Sequence, residues 1–380
     1  VEPPALAALL AGGRAVPFSE LVEVALYDEA DGFYATGGRA GGRADFLTSP
    51  EVGPLFGALV ARLLDDTWER LGRPDPFVVV EAGAGPGTLA RAVRVAEPRC
   101  GPTLAYVLVE RSAAQRRLHA EHLPGWSGEV SGEGLAELTS APGADGRPRF
   151  ASSAELPAAL TGLVLANELL DNLAFDIVRR TDEGAEQMLV VGAADGPELV
   201  VGPAAEAVAE RLASLDVPTG AWVPWQQAAR SWLADARGRL DRGRIVVVDY
   251  GAPTARLAAR PDLGWLRTFR DNDRGGHPLD DIGRQDITAD VAIDQLQLDH
   301  PATRVRTQAE WLRALGIDLL VEEGRRTWAD RAHAPDLVAL RGRSRVREAE
   351  ALLDPDGLGS FVAMEWDIGL DPDRGSDGRH

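Results

Sequence analysis

The stretch VVVEAGAGPGTLARAV, Val78 to Val93, decides how this chain is read. Its apolar run ends in an acid, Glu81, and is followed by glycines at 83, 85 and 87 and an alanine-rich segment from Thr88. A continuous apolar run of this kind fits a strand covered on both faces, as in a parallel sheet. Glycines allow a turn with positive φ and let the backbone come close to a ligand. The stretch therefore predicts strand, turn and helix.

Outward from it the same pattern repeats. LAYVLVE, Leu104 to Glu110, reads as a second buried strand and RSAAQRRLHAEH as the helix after it. GLVLANELLD, Gly162 to Asp171, and RIVVVDYG, Arg244 to Gly251, are further apolar runs with polar tips. Between them FDIVRR and QMLVVGAADGPELVVG alternate and turn like antiparallel strands. AAEAVAERLASL and WQQAARSWLADARGRL read as helices. Upstream, Pro17 to Tyr27 predicts a short helix, and TSPEVGPLFGALVARLLDDTWERLG a long one. In the long helix Ser49 is the expected N-cap, Pro50 the first residue and Glu51 an acid in the positive first turn, with Leu55, Leu59, Leu63 and Leu64 as the apolar stripe. DGFYATGGRAGGRADF between them is a lid candidate. Ala252 to Ile287 reads as an irregular loop, helices are expected at DITADVAIDQL and TQAEWLRALGI, GSFVAMEWDI as a closing strand, and the tail DPDRGSDGRH as unstructured.

Buried strands alternating with helices predict an α/β fold with a doubly wound, mostly parallel Rossmann-like sheet. The expected organisation is an N-terminal helical cap and glycine-rich lid over 1–65, then the first part of the core over 66–180. An insertion of antiparallel strands and helices follows over 181–243, then the rest of the core over 244–370 with a helical substrate-side insertion at 252–320, and a tail over 371–380.

Composition narrows the function classes. The chain has 380 residues, 45% of them hydrophobic, and a formal net charge of −19. Such acidity argues against nucleic acid as a partner, because counterion release needs clustered cations. It would suit a basic partner such as an arginine-bearing peptide, although it also serves solubility. One cysteine, Cys100, excludes an internal disulfide. The cytoplasm is the default compartment, and no apolar run approaches the ~20 residues of a membrane span.

The turn itself selects among ligands. A phosphate-gripping P-loop requires a lysine, and the chain contains none. The dinucleotide fingerprint is G-x-G-x-x-G, whereas here the spacing is G-x-G-x-G. Glu81 ahead of the turn would repel a pyrophosphate and suit a ligand that carries a cation. S-adenosylmethionine has a sulfonium and an ammonium and no phosphate. Glu110 at the next strand tip could accept both ribose hydroxyls. The combination favours S-adenosylmethionine over NAD, with Glu81, Gly83, Gly85, Gly87 and Glu110 as cofactor-binding candidates.

Several stretches together resemble the MidA-like proteins, a family that includes a mitochondrial complex I assembly factor with protein arginine methyltransferase activity. They are ADFLTSPEVGPLFG, VEAGAGPGTLA, LVLANELLDNLAFDIV, VVVDYG, LRTF with HPLDDIGRQDITADV, and TQAEWLRALGI, spanning residues from about 20 to 320 in the family's order. The resemblance implies a class I methyltransferase fold. It also implies that the Thr48–Ser49 segment closes over the cofactor, with Tyr34 on the glycine-rich lid. Where relatives continue as F-F-D-A-L-P, this chain has Leu169, Leu170, Asp171, Asn172, Leu173 and Ala174. Where they have D-L-T-x-[HD]-V-[DN]-F, it runs Asp286 to Ile293 without the closing aromatic.

Methyl transfer is an in-line displacement, so residues position the acceptor and exclude water. Glu168 is the expected substrate-orienting carboxylate, with Asn167 contacting cofactor or substrate and Asp171 beside them or capping a helix. Asp249 and Tyr250 are substrate-side candidates, Tyr250 alternatively packing. No metal-ligand spacing is present, and His277 reads as an ordinary loop histidine. The expected partner is a protein substrate, with no membrane and a homodimer as the candidate self-association. The alternatives are a cofactor-binding assembly factor with little turnover and an NAD-dependent oxidoreductase.

Overall fold

The structure, a computed structural model, describes residues 4–36, 48–142, 146–270 and 273–370. Most of the lid candidate and the whole tail lie outside the described residues. The chain forms two compact units. One comprises Val1–Phe46, Glu168–Asp235 and Asp249–Pro301; the other comprises Leu47–Asn167, Ala236–Val248 and Ala302–His380.

The second, the sheet unit, is built on eight strands: β1 (Phe77–Ala82), β2 (Leu104–Val109), β3 (Trp126–Glu129), β4 (Arg149–Ser153), β5 (Leu160–Asn167), β6 (Leu240–Asp249), β7 (Arg304–Thr307) and β8 (Val362–Ile368). Their order is β7-β8-β6-β5-β1-β2-β4-β3. The six from β6 to β3 pair in parallel, and β7 runs antiparallel to β8. Every residue of β1 and β2 is buried, which explains why both read as unbroken apolar runs. From β1 the chain moves out one way to β2, β3 and β4, then returns to place β5 on the other side of β1. The strand order therefore reverses between β1 and β5, where open α/β sheets bind ligands beyond the carboxyl ends.

Helices cover the sheet. Ser49–Val52 and Pro54–Arg70 are separated by Gly53, and Leu55, Leu59, Leu63 and Leu64 are all buried as the stripe predicts. The cap sits one residue earlier than expected. Thr48 is the N-cap and forms a capping box with Glu51, an arrangement in which each side chain satisfies an otherwise orphaned N–H. Ser49 is instead buried and donates its hydroxyl to Gln308 Oε1 at 2.9 Å. The segment RSAAQRRLHAEH forms two short helices, Ala113–Arg116 and His119–His122, rather than one.

An ion network fastens β6, β7 and β8. Arg244 on β6 meets Asp367 at 2.6 Å and Glu365 at 3.4 Å, and Arg304 on β7 meets the same two acids at 2.6 and 3.0 Å. The Arg244 and Glu365 side chains are only 5% and 2% exposed, so each charge depends on the others for its solvation.

The first, antiparallel unit holds a five-stranded sheet of Val16–Pro17, Asp176–Thr181, Gly184–Ala193, Gly196–Pro203 and Trp222–Trp225. The expected hairpin is there, with Gly184–Ala193 paired to Gly196–Pro203. Ala252 to Ile287 is not a loop. It contains a helix, Thr254–Ala258, and strand Leu266–Arg270, which pairs with Asp273–Arg274 and with Asp286–Ala289. The start of DITADVAIDQL is consequently a strand, with a helix only over Ile293–Leu296. Charged residues hid these strands. Asp286 and Asp290 are buried, and Asp290 is held by Arg260 and Arg267. Among the described residues no helix is long and apolar enough to cross a membrane.

Candidate active site

In the sheet unit β1 delivers the glycine turn at the point of strand-order reversal. Gly83, Gly85 and Gly87 have φ of 69°, 51° and 83°, the left-handed region that a residue with a Cβ enters only at a cost. A Cβ on Gly85 would meet nothing within 4 Å, so its bare face borders open space. A Cβ on Gly87 would lie 3.1 Å from Leu108 and 3.3 Å from His119, so this glycine serves the packing of the helix Thr88–Val95.

Glu110, one residue beyond β2, reaches the turn. Its Oε2 accepts the Gly85 N–H at 2.9 Å and its Oε1 the Ser112 N–H at 2.7 Å. Burial raises its pKa against the lowering effect of those N–H donors. Asn167 ends β5 in register with Val248, and Ala166 beside it pairs with Ala82 of β1. The turn, Glu110 and Asn167 therefore share one edge of the sheet.

Glu81 departs from the expectation. Its carboxylate faces the interior and accepts the Tyr106 hydroxyl at 2.8 Å. Burial pushes its pKa up to about 8, against the lowering effect of the Tyr106 and Ala90 hydrogen bonds. The group whose sequence position suggests a free negative charge is thus a buried acid that titrates near neutrality. Its repulsion of a phosphate is weaker than the bare sequence implies.

Two histidines absent from the sequence reading brace the same turn. His119, fully buried, places Nε2 2.7 Å from Gly85 O and Nδ1 2.6 Å from Ser152 Oγ. His122 places Nδ1 2.7 Å from Pro86 O. Their i, i+3 spacing on one helical face, soon after the strand beside the turn, was the available signal.

In the antiparallel unit Glu168 has φ of 52°, an uncommon conformation for a residue with a side chain and one that clusters at functional sites. The Leu170 N–H donates to Asp249 Oδ2 and the Tyr250 N–H to Asp249 Oδ1, both at 2.9 Å. Burial, with the charges of Asp171 and Glu168, raises the Asp249 pKa well above the usual value. Tyr250 does more than pack. Its hydroxyl donates to Asp171 Oδ2 at 2.6 Å and lies 2.8 Å from Thr288 Oγ1, and the Arg267 guanidinium sits 5.0 Å over its ring.

Asp171 is no helix cap. It is 4% exposed within a short 3₁₀ turn, Leu170–Asn172, and its Oδ1 has no hydrogen-bond partner. Burial pushes it up to about 6. Asn172 donates to Asp286 Oδ1 at 3.1 Å, and burial followed by the charge of Asp171 pushes Asp286 up to about 7. Tyr34 is hydrogen-bonded to Asp286 and packs its ring 5.5 Å from that of Tyr27. Among the described residues no cluster of His, Cys, Asp or Glu could hold a metal ion.

The structure therefore groups the predicted residues in two sets. Glu81, the glycines, Glu110, Asn167, Thr48 and Ser49 belong to the sheet unit; Glu168, Asp171, Asp249, Tyr250 and Tyr34 belong to the antiparallel unit.

Comparison with known proteins adds to this geometry. The profile of a family described as "Putative S-adenosyl-L-methionine-dependent methyltransferase" matches residues 59–309. The chain is 26% identical over 332 residues to the mitochondrial protein arginine methyltransferase NDUFAF7 of Xenopus tropicalis, covering 80% of this chain and 73% of that protein. A Drosophila melanogaster homolog is 41% identical over 78 residues, which span 20% of this chain and only 18% of that protein. A solved structure from Burkholderia thailandensis bound to S-adenosyl-homocysteine is 25% identical with a TM-score of 0.77, covering 98% of this chain and 95% of that one.

Proposed function

From the premise that the chain belongs to this family of S-adenosylmethionine-dependent methyltransferases, we propose that it transfers the methyl group to arginine side chains of a protein. The turn fits the cofactor. Gly85 has a bare face on open space, and Glu110 holds a carboxylate against the Gly85 N–H, where it can serve as the ribose acceptor. When bound, S-adenosylmethionine supplies a methyl group on a sulfonium, open to in-line attack.

The observation that carries the arginine reading is Asp171, buried against Tyr250 with its Oδ1 unpartnered, whose charge acts together with that of Glu168 on Asp249. A guanidinium stays protonated, with a pKa above ~12, and is a poor nucleophile until a base relieves it. Carboxylates bind it through paired N–H bonds and orient one nitrogen. Glu168 orients the guanidinium and takes up the proton that the nitrogen releases as its N–C bond forms and the sulfur–carbon bond breaks. Asp171 supplies a second acceptor carboxyl, Asp249 holds the local backbone through the Leu170 and Tyr250 N–H groups, and Tyr250 fixes Asp171. The names of the curated relatives and the net charge of −19 support a basic protein substrate.

The test is incubation with methyl-labelled cofactor and a cell lysate, comparing wild type with Glu168→Gln and Gly85→Val. Labelled protein bands should appear with wild type and vanish with both variants. Bands that persist unchanged in both would refute the assigned site. A wild-type protein that binds the cofactor and labels nothing would favour the assembly-factor alternative.

A further inference from the structure

We infer that His119 and His122 are positioning residues for the cofactor, clamping the carbonyls of the glycine turn so that Gly85 keeps its bare face toward the ligand. The inference rests on the reading of this turn as the S-adenosylmethionine site.

Hydrogen-bond direction fixes the tautomers. Gly85 O and Pro86 O can only accept, so His119 Nε2, at 2.7 Å, and His122 Nδ1, at 2.7 Å, are the protonated nitrogens. His119 Nδ1 is then an acceptor, and Ser152 Oγ, 2.6 Å away, donates to it. Ser152 Oγ in turn accepts the indole N–H of Trp126 at 2.7 Å. The result is a directed chain, Trp126 to Ser152 to His119 to Gly85, in which each hydrogen bond fixes the next.

Ser152 on β4 is fully buried and Trp126 begins β3, so the clamp is anchored in the sheet rather than in a loop. The turn needs such anchoring. Its three glycines with positive φ carry extra backbone freedom, and its bonds from Gly83 N–H and Ala84 N–H to Val109 O, Gly85 N–H to Glu110, Gly87 N–H to Ala84 O and Arg91 N–H to Gly87 O hold neither the Gly85 nor the Pro86 carbonyl. Pinning the two successive carbonyls removes that freedom before the ligand arrives, the usual way in which preorganisation raises affinity.

The two sides of the His119 ring can be tested separately. A glutamine places its amide N–H where Nε2 sits, so His119→Gln keeps the donor to Gly85 O and loses the Ser152 contact. An asparagine reaches only as far as Nδ1, so His119→Asn keeps Ser152 and releases Gly85. Calorimetric titration with S-adenosylmethionine, alongside thermal melting, should show both variants melting lower than wild type. Only His119→Asn should weaken binding, by about tenfold or more, while His119→Gln stays within about threefold.

Equal affinities in the two variants, whether both near wild type or both weakened alike, would overturn the clamp, since a merely structural role would not tell them apart. If His119→Asn does not fold, the half-buried His122 decides the matter. His122→Ala should weaken binding about threefold with an unchanged melt, and wild-type affinity there would overturn the clamp. Gly85→Val separates this inference from its premise. If Gly85→Val binds like wild type, the turn is not the cofactor site; if it loses binding while His119→Asn keeps it, only the clamp fails.

Discussion

Glu110 Oε2 accepts the Gly85 N–H at 2.9 Å, tying the acid beyond one strand directly to the glycine turn after the neighbouring strand. An acid that shapes the turn and is the proposed ribose acceptor should matter more for binding than for stability. Glu110→Gln removes the charge and one of its two N–H acceptors, and should weaken S-adenosylmethionine binding by at least about tenfold, or ~1.4 kcal/mol. Calorimetry checks this, and an unchanged dissociation constant would remove Glu110 from the site.

Tyr250→Phe removes the hydroxyl bonded to Asp171 and Thr288. Asp171 would then lose its partner on Oδ2 while Oδ1 already lacks one. Leaving a buried acceptor unmet costs about 1–3 kcal/mol, so the urea midpoint should fall. Methyl transfer should fall too, with cofactor affinity unchanged. Loss of stability without loss of transfer would make Tyr250 structural only.

Stability should carry a signature of the buried acids. Asp286 is raised from 3.8 to about 7 by burial and by the neighbouring Asp171. The folded chain therefore holds a proton there that the unfolded chain has released, so this contribution is fully present below pH ~4 and is lost as pH rises through about 7. Asn at 286 mimics the protonated acid at every pH. The stability of Asp286→Asn relative to wild type should therefore rise between pH 4 and pH 8 in urea titrations, and a flat difference would contradict the raised pKa.

Glu365 is 2% exposed between Arg244, Arg304 and Arg306. Removing its charge leaves the buried Arg244 and the partly exposed Arg304 to share Asp367, so the effect should fall below the about 3–5 kcal/mol seen when one member of an isolated buried pair is lost. Glu365→Gln should lower the denaturation midpoint. Its cofactor affinity, measured below the melt, should match wild type.

The parallel core was legible because its strands are buried on both faces. Phe77–Ala82 and Leu104–Val109 have no exposed side to interrupt the apolar pattern. Leu266–Arg270 and Asp286–Ala289 look like loop and helix in sequence because their stability comes from Arg–Asp pairs and a buried Asp286 rather than from apolar alternation. The long helix was found, but its start was misplaced by one residue. Thr48 and Ser49 both suit a cap, and only the fold reveals that Ser49 is drawn inward to Gln308. In the candidate site the turn and Glu110 were read from spacing. The environment of Glu81 was not, because its partner Tyr106 lies 25 residues away on β2 and burial leaves no local mark. His119 escaped for the same reason, since its contacts to Gly85 and Ser152 are both distant in sequence.

The most direct test of the central claim, that the Gly83–Gly87 turn holds S-adenosylmethionine, is calorimetric titration of that cofactor into wild type and Gly85→Val, each well below its melting temperature. A Cβ and its methyls on Gly85 would fill the open space at its bare face. Wild type should bind S-adenosylmethionine and not NADH, and the variant should bind neither. Tight NADH binding by wild type without S-adenosylmethionine binding, or a Gly85→Val variant with undiminished affinity, would contradict the account.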